Sequence, residues 1–142
     1  MRHLRLAMQS DLMKRLITFT AAAALIAAPS LAEPAPLPFE PTPEAFATWV
    51  NSSNAVGGVK LIQAGGCELD LLTINGKQVT TGYWCRNSFW EETDPRGTRR
   101  CQGTFLHENA EVQRGGRGRE IVGVAPIAVT RFFGNKNDCR WL

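Results

Sequence analysis

Histidine is nearly absent from this chain. Its 142 residues include two, and only His107 lies beyond residue 32. A Ser-His-Asp or Cys-His catalyst would have to use that one imidazole. Serine offers it no obvious companion. Past residue 32 the serines are Ser52, Ser53 and Ser88, and none sits in Gly-x-Ser-x-Gly, which excludes a nucleophile elbow. Cys-x-x-Cys is missing as well, and no histidines flank the cysteines, so a zinc site lacks its usual ligand spacing. Nothing in the sequence asks for a cofactor.

Two further shortages narrow the class. Beyond residue 32 no apolar run approaches the roughly 20 residues that a membrane-spanning helix needs. Charge of one sign is also lacking. Arg2, Arg5, Lys14, Arg15 and Asp11 all precede Glu33, so sixteen basic and thirteen acidic residues reduce to twelve of each. A formally neutral domain has no general affinity for nucleic acid or anionic membrane. Arg114-Gly115-Gly116-Arg117-Gly118-Arg119 is one short glycine–arginine run, not the long repeat that binds single strands, and is read as a loop.

What is present begins with an export signal. Lys14 and Arg15 form a positive start, Leu16 to Ala28 an apolar run, and Ser30-Leu31-Ala32 a small-residue cleavage site. Residues 1–32 are expected to be a cleaved signal peptide, giving a periplasmic or secreted protein. Residues 33–41, rich in proline, read as an extended spacer outside the fold. Residues 42–142 then form a single disulfide-stabilised domain. Cys67, Cys85, Cys101 and Cys139 all fall in it, an even count that implies two bridges in an oxidising compartment.

Local signals place the elements. Thr42-Pro43-Glu44 starts a helix, with Thr42 as N-cap and Pro43 in the first turn. Phe46, Trp49 and Val50 make its apolar face, and it should fray at 51–54. Asn75-Gly76 is the strongest hairpin signal in the chain, because a type I′ turn needs two residues of positive φ. Asp94-Pro95-Arg96-Gly97 is a second turn. Strands are expected over 59–63, on both sides of Asn75-Gly76, over 98–107, and over 121–133. The last is apolar at both parities and so is expected to be buried on both faces, with Pro126 bending or dividing it. The fold class is α+β: one N-terminal helix on a small antiparallel sheet, or partly open barrel, of about five strands.

The hairpin constrains the bridges. With Asn75-Gly76 as a two-residue loop, Cys67 falls opposite Trp84, and Cys67 and Cys85 point to opposite faces. A Cys67–Cys85 bridge then needs a bulge, with Gly82 the place for it. Without one, Cys85–Cys101 and Cys67–Cys139 are preferred, although all three pairings stay open.

Candidate sites follow from residue type. Glu91, Glu92 and Asp94 cluster before Pro95 and could do acid/base work on a glycan, with His107 as the other possible catalytic group. Tyr83, Trp84, Phe89 and Trp90, followed by Arg96, Arg99 and Arg100, form the best binding candidate, since Trp, Tyr and Arg dominate protein hot spots. In a regular strand Trp84 and Trp90 share one face, Tyr83 and Phe89 the other. The expected function is therefore an exported, non-enzymatic protein-binding domain, an inhibitor or assembly factor. A cell-wall or glycan hydrolase and a glycan-binding module are the alternatives.

Overall fold

Helix α1 (Pro43–Ser53) begins where the capping residues place it. The Thr42 hydroxyl accepts from the Ala45 amide at 3.2 Å, Pro43 occupies the first turn, and Asn54 closes the far end with φ 50°. The computed structural model describes residues 32–118, 120–134 and 136–142. The expected signal peptide thus lies, but for Ala32, outside the described residues. No described helix is long and apolar enough to cross a membrane.

Six strands follow: β1 (Val59–Gln63), β2 (Cys67–Ile74), β3 (Lys77–Asp94), β4 (Gly97–Arg114), β5 (Ile121–Phe133) and β6 (Cys139–Trp141). They form one open antiparallel sheet. β3 and β4 run through its middle; β1 and β2 both pair with the outer side of β3, β5 and β6 with the outer side of β4. The expected class, one helix on a small stapled antiparallel sheet, is what forms. β4 runs seven residues past His107, beyond the 98–107 span expected of it. Asn75 and Gly76 both take positive φ, as the hairpin turn requires.

One face of the sheet carries the helix. Phe46 and Val50 are fully buried there against Leu61, Tyr83, Cys85, Trp90, Cys101 and Phe105. Asn51 ties the helix to β1: its side-chain amide accepts from the Leu61 N–H and donates to the Leu61 carbonyl, both at 2.8 Å.

Two bulges reset the parity of β3. Asp70 faces Gly82 but Leu71 faces Thr80, which leaves Thr81 as an extra residue. Its hydroxyl is held by the Asp70 carbonyl at 3.1 Å. The shift brings Cys67 directly opposite Cys85, and they are bridged; the second bridge is Cys101–Cys139. The preference for Cys85–Cys101 and Cys67–Cys139 is therefore wrong. The bulge it lacked sits one residue from Gly82, the position named for it. The second bulge is at Arg86-Asn87, between the Cys85–Phe105 and Ser88–Gly103 pairs. Gly66 and Gly65 hold it, accepting from the Arg86 and Asn87 amides at 3.2 and 3.0 Å. A Cβ on Gly65 would lie 2.5 Å from the Asn87 carbonyl oxygen, so only glycine fits there.

Two further expectations need correction. The proline-rich segment is part of the fold. The Ala35 amide donates to the Asn109 carbonyl, the Asn109 side chain donates to Ala35 and Thr80, and Phe39 packs among Phe46, Trp49, Tyr83 and His107. Its backbone is extended, as its prolines dictate, but Leu37 and Phe39 still seek the core. β5 is not buried on both faces. It is an edge strand, with Val122, Val129 and Phe133 exposed. Its register does break beside Pro126, between the Glu108–Val129 and Ala110–Pro126 pairs, as proline requires. Finally, the buried side of the sheet changes toward the hairpin. Leu106, Ala110 and Val124 are buried outside the helix-covered cluster, while Leu69 and Leu71 are exposed.

Candidate functional site

The Arg86-Asn87 bulge decides which aromatic side chains can meet a ligand. Tyr83 and Cys85 precede it on the helix face, and Ser88 and Trp90 follow it on that same face. Tyr83 and Trp90 are only 3% and 1% exposed, so both belong to the core rather than to a surface. Trp84 and Phe89 lie together on the opposite face, half-buried. The regular-strand pairing of Trp84 with Trp90 fails for this reason.

The arginines are distributed by the same register. Glu91 lies opposite Arg100 and Glu92 opposite Arg99, and both pairs form salt bridges. Arg96 pairs with Asp94 inside the turn at 2.9 Å and holds that carboxyl below the usual carboxylate range. Arg96 and Arg99 also lie over the exposed Trp141 ring, 5.5 and 5.9 Å from its centroid. Arg100 is the one predicted arginine that shares a face with Trp84 and Phe89. Each acid weighed for catalysis is thus matched by an arginine. Glu92 has a structural task besides: its Oε1 accepts from the buried Trp90 indole at 3.0 Å and its Oε2 from Arg99 Nε at 2.6 Å.

His107 does not reach solvent. It is 1% exposed, its Nδ1 is 2.9 Å from the Thr130 hydroxyl, and the Phe39 and Trp49 rings stand edge-on to it. Burial lowers its pKa; the neighbouring Glu108 carboxylate opposes that only in part. The sign of the linkage follows. The unfolded imidazole takes a proton as pH falls through about 6.5 while the folded one resists. Stability should be flat above that pH and fall below it, by at most about 1.4 kcal/mol per pH unit for one proton. Urea melts at neutral pH and at pH about 5 test this against His107→Gln. Parallel losses in the two proteins would rule out His107 as the source.

The face opposite the helix also holds residues that composition did not flag. Leu106 stands opposite Trp84 and opposite Arg131; Thr104 stands opposite Phe133, and Gln102 opposite Phe89. Phe133 is 52% exposed and Val129 38%. Arg86 covers the Trp84 ring at 5.1 Å and pairs with Glu68, while Arg131 pairs with Glu108. Trp84 Nε1 is buried without a hydrogen-bond partner among the described residues. The only sequence signal for Phe133 was its place in an apolar run, and that run was read as core. Among the described residues no group of three or more His, Cys, Asp or Glu is placed to hold a metal ion. Chemically, this face offers aromatic and aliphatic surface bordered by paired charges. Comparison with known proteins finds no matching family model, no similar curated protein and no similar solved structure.

Proposed function

We propose that this domain is an exported, non-enzymatic binding module that recognises a protein partner through the sheet face opposite the helix. The observation that carries the reading is the set Trp84, Phe89, Val129 and Phe133 on that face, half-buried or exposed, with arginines beside them. Apolar surface gathered on one side of a small domain and rimmed by polar groups is typical of interaction sites. Tryptophan and arginine are the residue types that dominate such interfaces. Two disulfides fit an oxidising compartment, which supports residence in the periplasm or outside the cell. The pairing of Glu91, Glu92 and Asp94 with arginines, and the burial of His107, favour binding over hydrolysis.

A photo-crosslinking residue at position 133 tests this in the producing cell, with one at the exposed Lys77 as control. Position 133 should trap one discrete protein and position 77 should not. Trp84→Ala should reduce the trapped product by about tenfold, the effect of removing a modest hot spot. Equal trapping from both positions, or none from position 133, would defeat the proposal.

A further inference from the structure

Four side chains stand in one row across the sheet. Lys60 is opposite Glu91, Glu91 opposite Arg100, and Arg100 opposite Arg140. Directly opposed residues of antiparallel strands share a face. This is the face of Phe89, two residues along β3 from Glu91, and of Gln102, two residues along β4 from Arg100. The row holds three cations and one carboxylate. Glu91 is committed to Arg100 at 2.8 Å. Lys60 and Arg140 are exposed and have no acidic partner among the described residues.

The row thus carries two positive charges that no carboxylate in it matches. Like charges directly opposite one another on neighbouring strands destabilise a sheet, and Arg100 and Arg140 are so placed. The next row along the strands shows the alternative. There Glu92 meets Arg99, and Arg99 meets an aromatic ring, Trp141, in place of a second cation. Folding alone therefore gives no reason for the surplus. An incoming anion does, because it relieves the Arg100–Arg140 repulsion.

We propose that this row seats the carboxylates of an acidic segment of the protein partner. The inference rests on the protein-binding reading above and adds the chemistry of the partner. Arg100 and Arg140, on adjacent strands about 4.8 Å apart, can present their guanidinium forks to one carboxylate, the geometry arginine serves best. Lys60 lies three strand spacings from Arg140, about 14 Å. An extended segment crossing the strands covers that distance in four residues, at about 3.3 Å each. The expected recognition element is thus two acids four residues apart, with an apolar side chain between them for Phe89.

The probe is a capped pentapeptide, Glu-Thr-Leu-Thr-Glu, titrated into the isotopically labelled exported chain and followed by amide chemical shifts. Its Gln-for-Glu counterpart and a heparin hexasaccharide serve as comparisons. Shifts should centre on Lys60, Phe89, Arg100 and Arg140, weaken as salt rises, and be absent with the Gln peptide. Lys60→Gln and Arg140→Gln, both at exposed positions, should each weaken binding about threefold and together roughly tenfold. Unchanged affinity in the double variant overturns the proposal. Shifts with heparin but not with the acidic peptide also overturn it, and would make the ligand a sulfated sugar. If position 133 still traps a partner while the peptide leaves the row unmoved, the inference falls and the binding face stands. Peptide binding at the row without any trapped partner defeats the protein-binding reading, and the inference with it.

Discussion

Trp90→Ala should cost about 3–5 kcal/mol of stability, as truncation of a fully buried aromatic side chain does. Trp90 is 1% exposed, packs against Phe105 and Phe132 with ring centroids 5.8 and 5.4 Å away, and donates its indole N–H to Glu92. The fold is built around it. A Cβ on Gly103 would come within 3.0 Å of the outer edge of the indole. A small domain has about 5–15 kcal/mol in total, so the variant should lose a large share of its stability. Trp84→Ala, six residues away, should cost much less, because Trp84 is half-buried and lies on the face opposite the helix. Glu92→Ala belongs to the same experiment. It leaves the Trp90 N–H buried without an acceptor, at a cost of about 1–3 kcal/mol. Urea denaturation midpoints rank the three, and similar losses for Trp90→Ala and Trp84→Ala would mean that the Arg86-Asn87 bulge is misplaced.

The second large effect comes from the bridges. Cys67–Cys85 closes a separation of 18 residues and Cys101–Cys139 one of 38. Loop-closure entropy in the unfolded chain then assigns them about 3 and about 4 kcal/mol. Replacing either pair with serine should lower the thermal midpoint strongly, and the Cys101/Cys139 pair should do so more. That pair also ties β6, a strand of three residues, to β4. Peptide mapping without reduction should recover Cys67 linked to Cys85 and Cys101 linked to Cys139. A Cys85–Cys101 peptide would overturn the register of β3 and, with it, the assignment of every side chain on that strand.

These two effects show what could be read from residues alone. The helix start at Thr42-Pro43 and the turn at Asn75-Gly76 were legible because each depends on the φ, ψ and hydrogen-bonding habits of two or three adjacent residues. The number of bridges was legible from a count. The Pro126 break was legible because a proline cannot donate to a ladder wherever it stands. Phe39 was not legible. Its neighbours are prolines and carry the signature of a spacer, while its packing partners, Tyr83 and His107, lie far along the chain.

Of the residues singled out from the sequence, Trp84, Phe89 and Arg100 lie on the face opposite the helix, Tyr83 and Trp90 lie in the core, and Arg96 and Arg99 pair with Asp94 and Glu92. Only strand register brings Lys60, Phe133 and Arg140 to the face of Phe89. By itself the sequence determined the helix start, the two turns, most of the strands and the presence of two staples. The tertiary structure decided the faces. Each bulge in β3 inserts one residue, and in a structure of period two that moves every later side chain to the other side of the sheet. Where a bulge forms depends on the segment docking against it, Asp70 for Thr81 and Gly65-Gly66 for Arg86-Asn87. Those contacts cross from one strand or turn to another, and the period-two pattern of β3 taken alone does not show them.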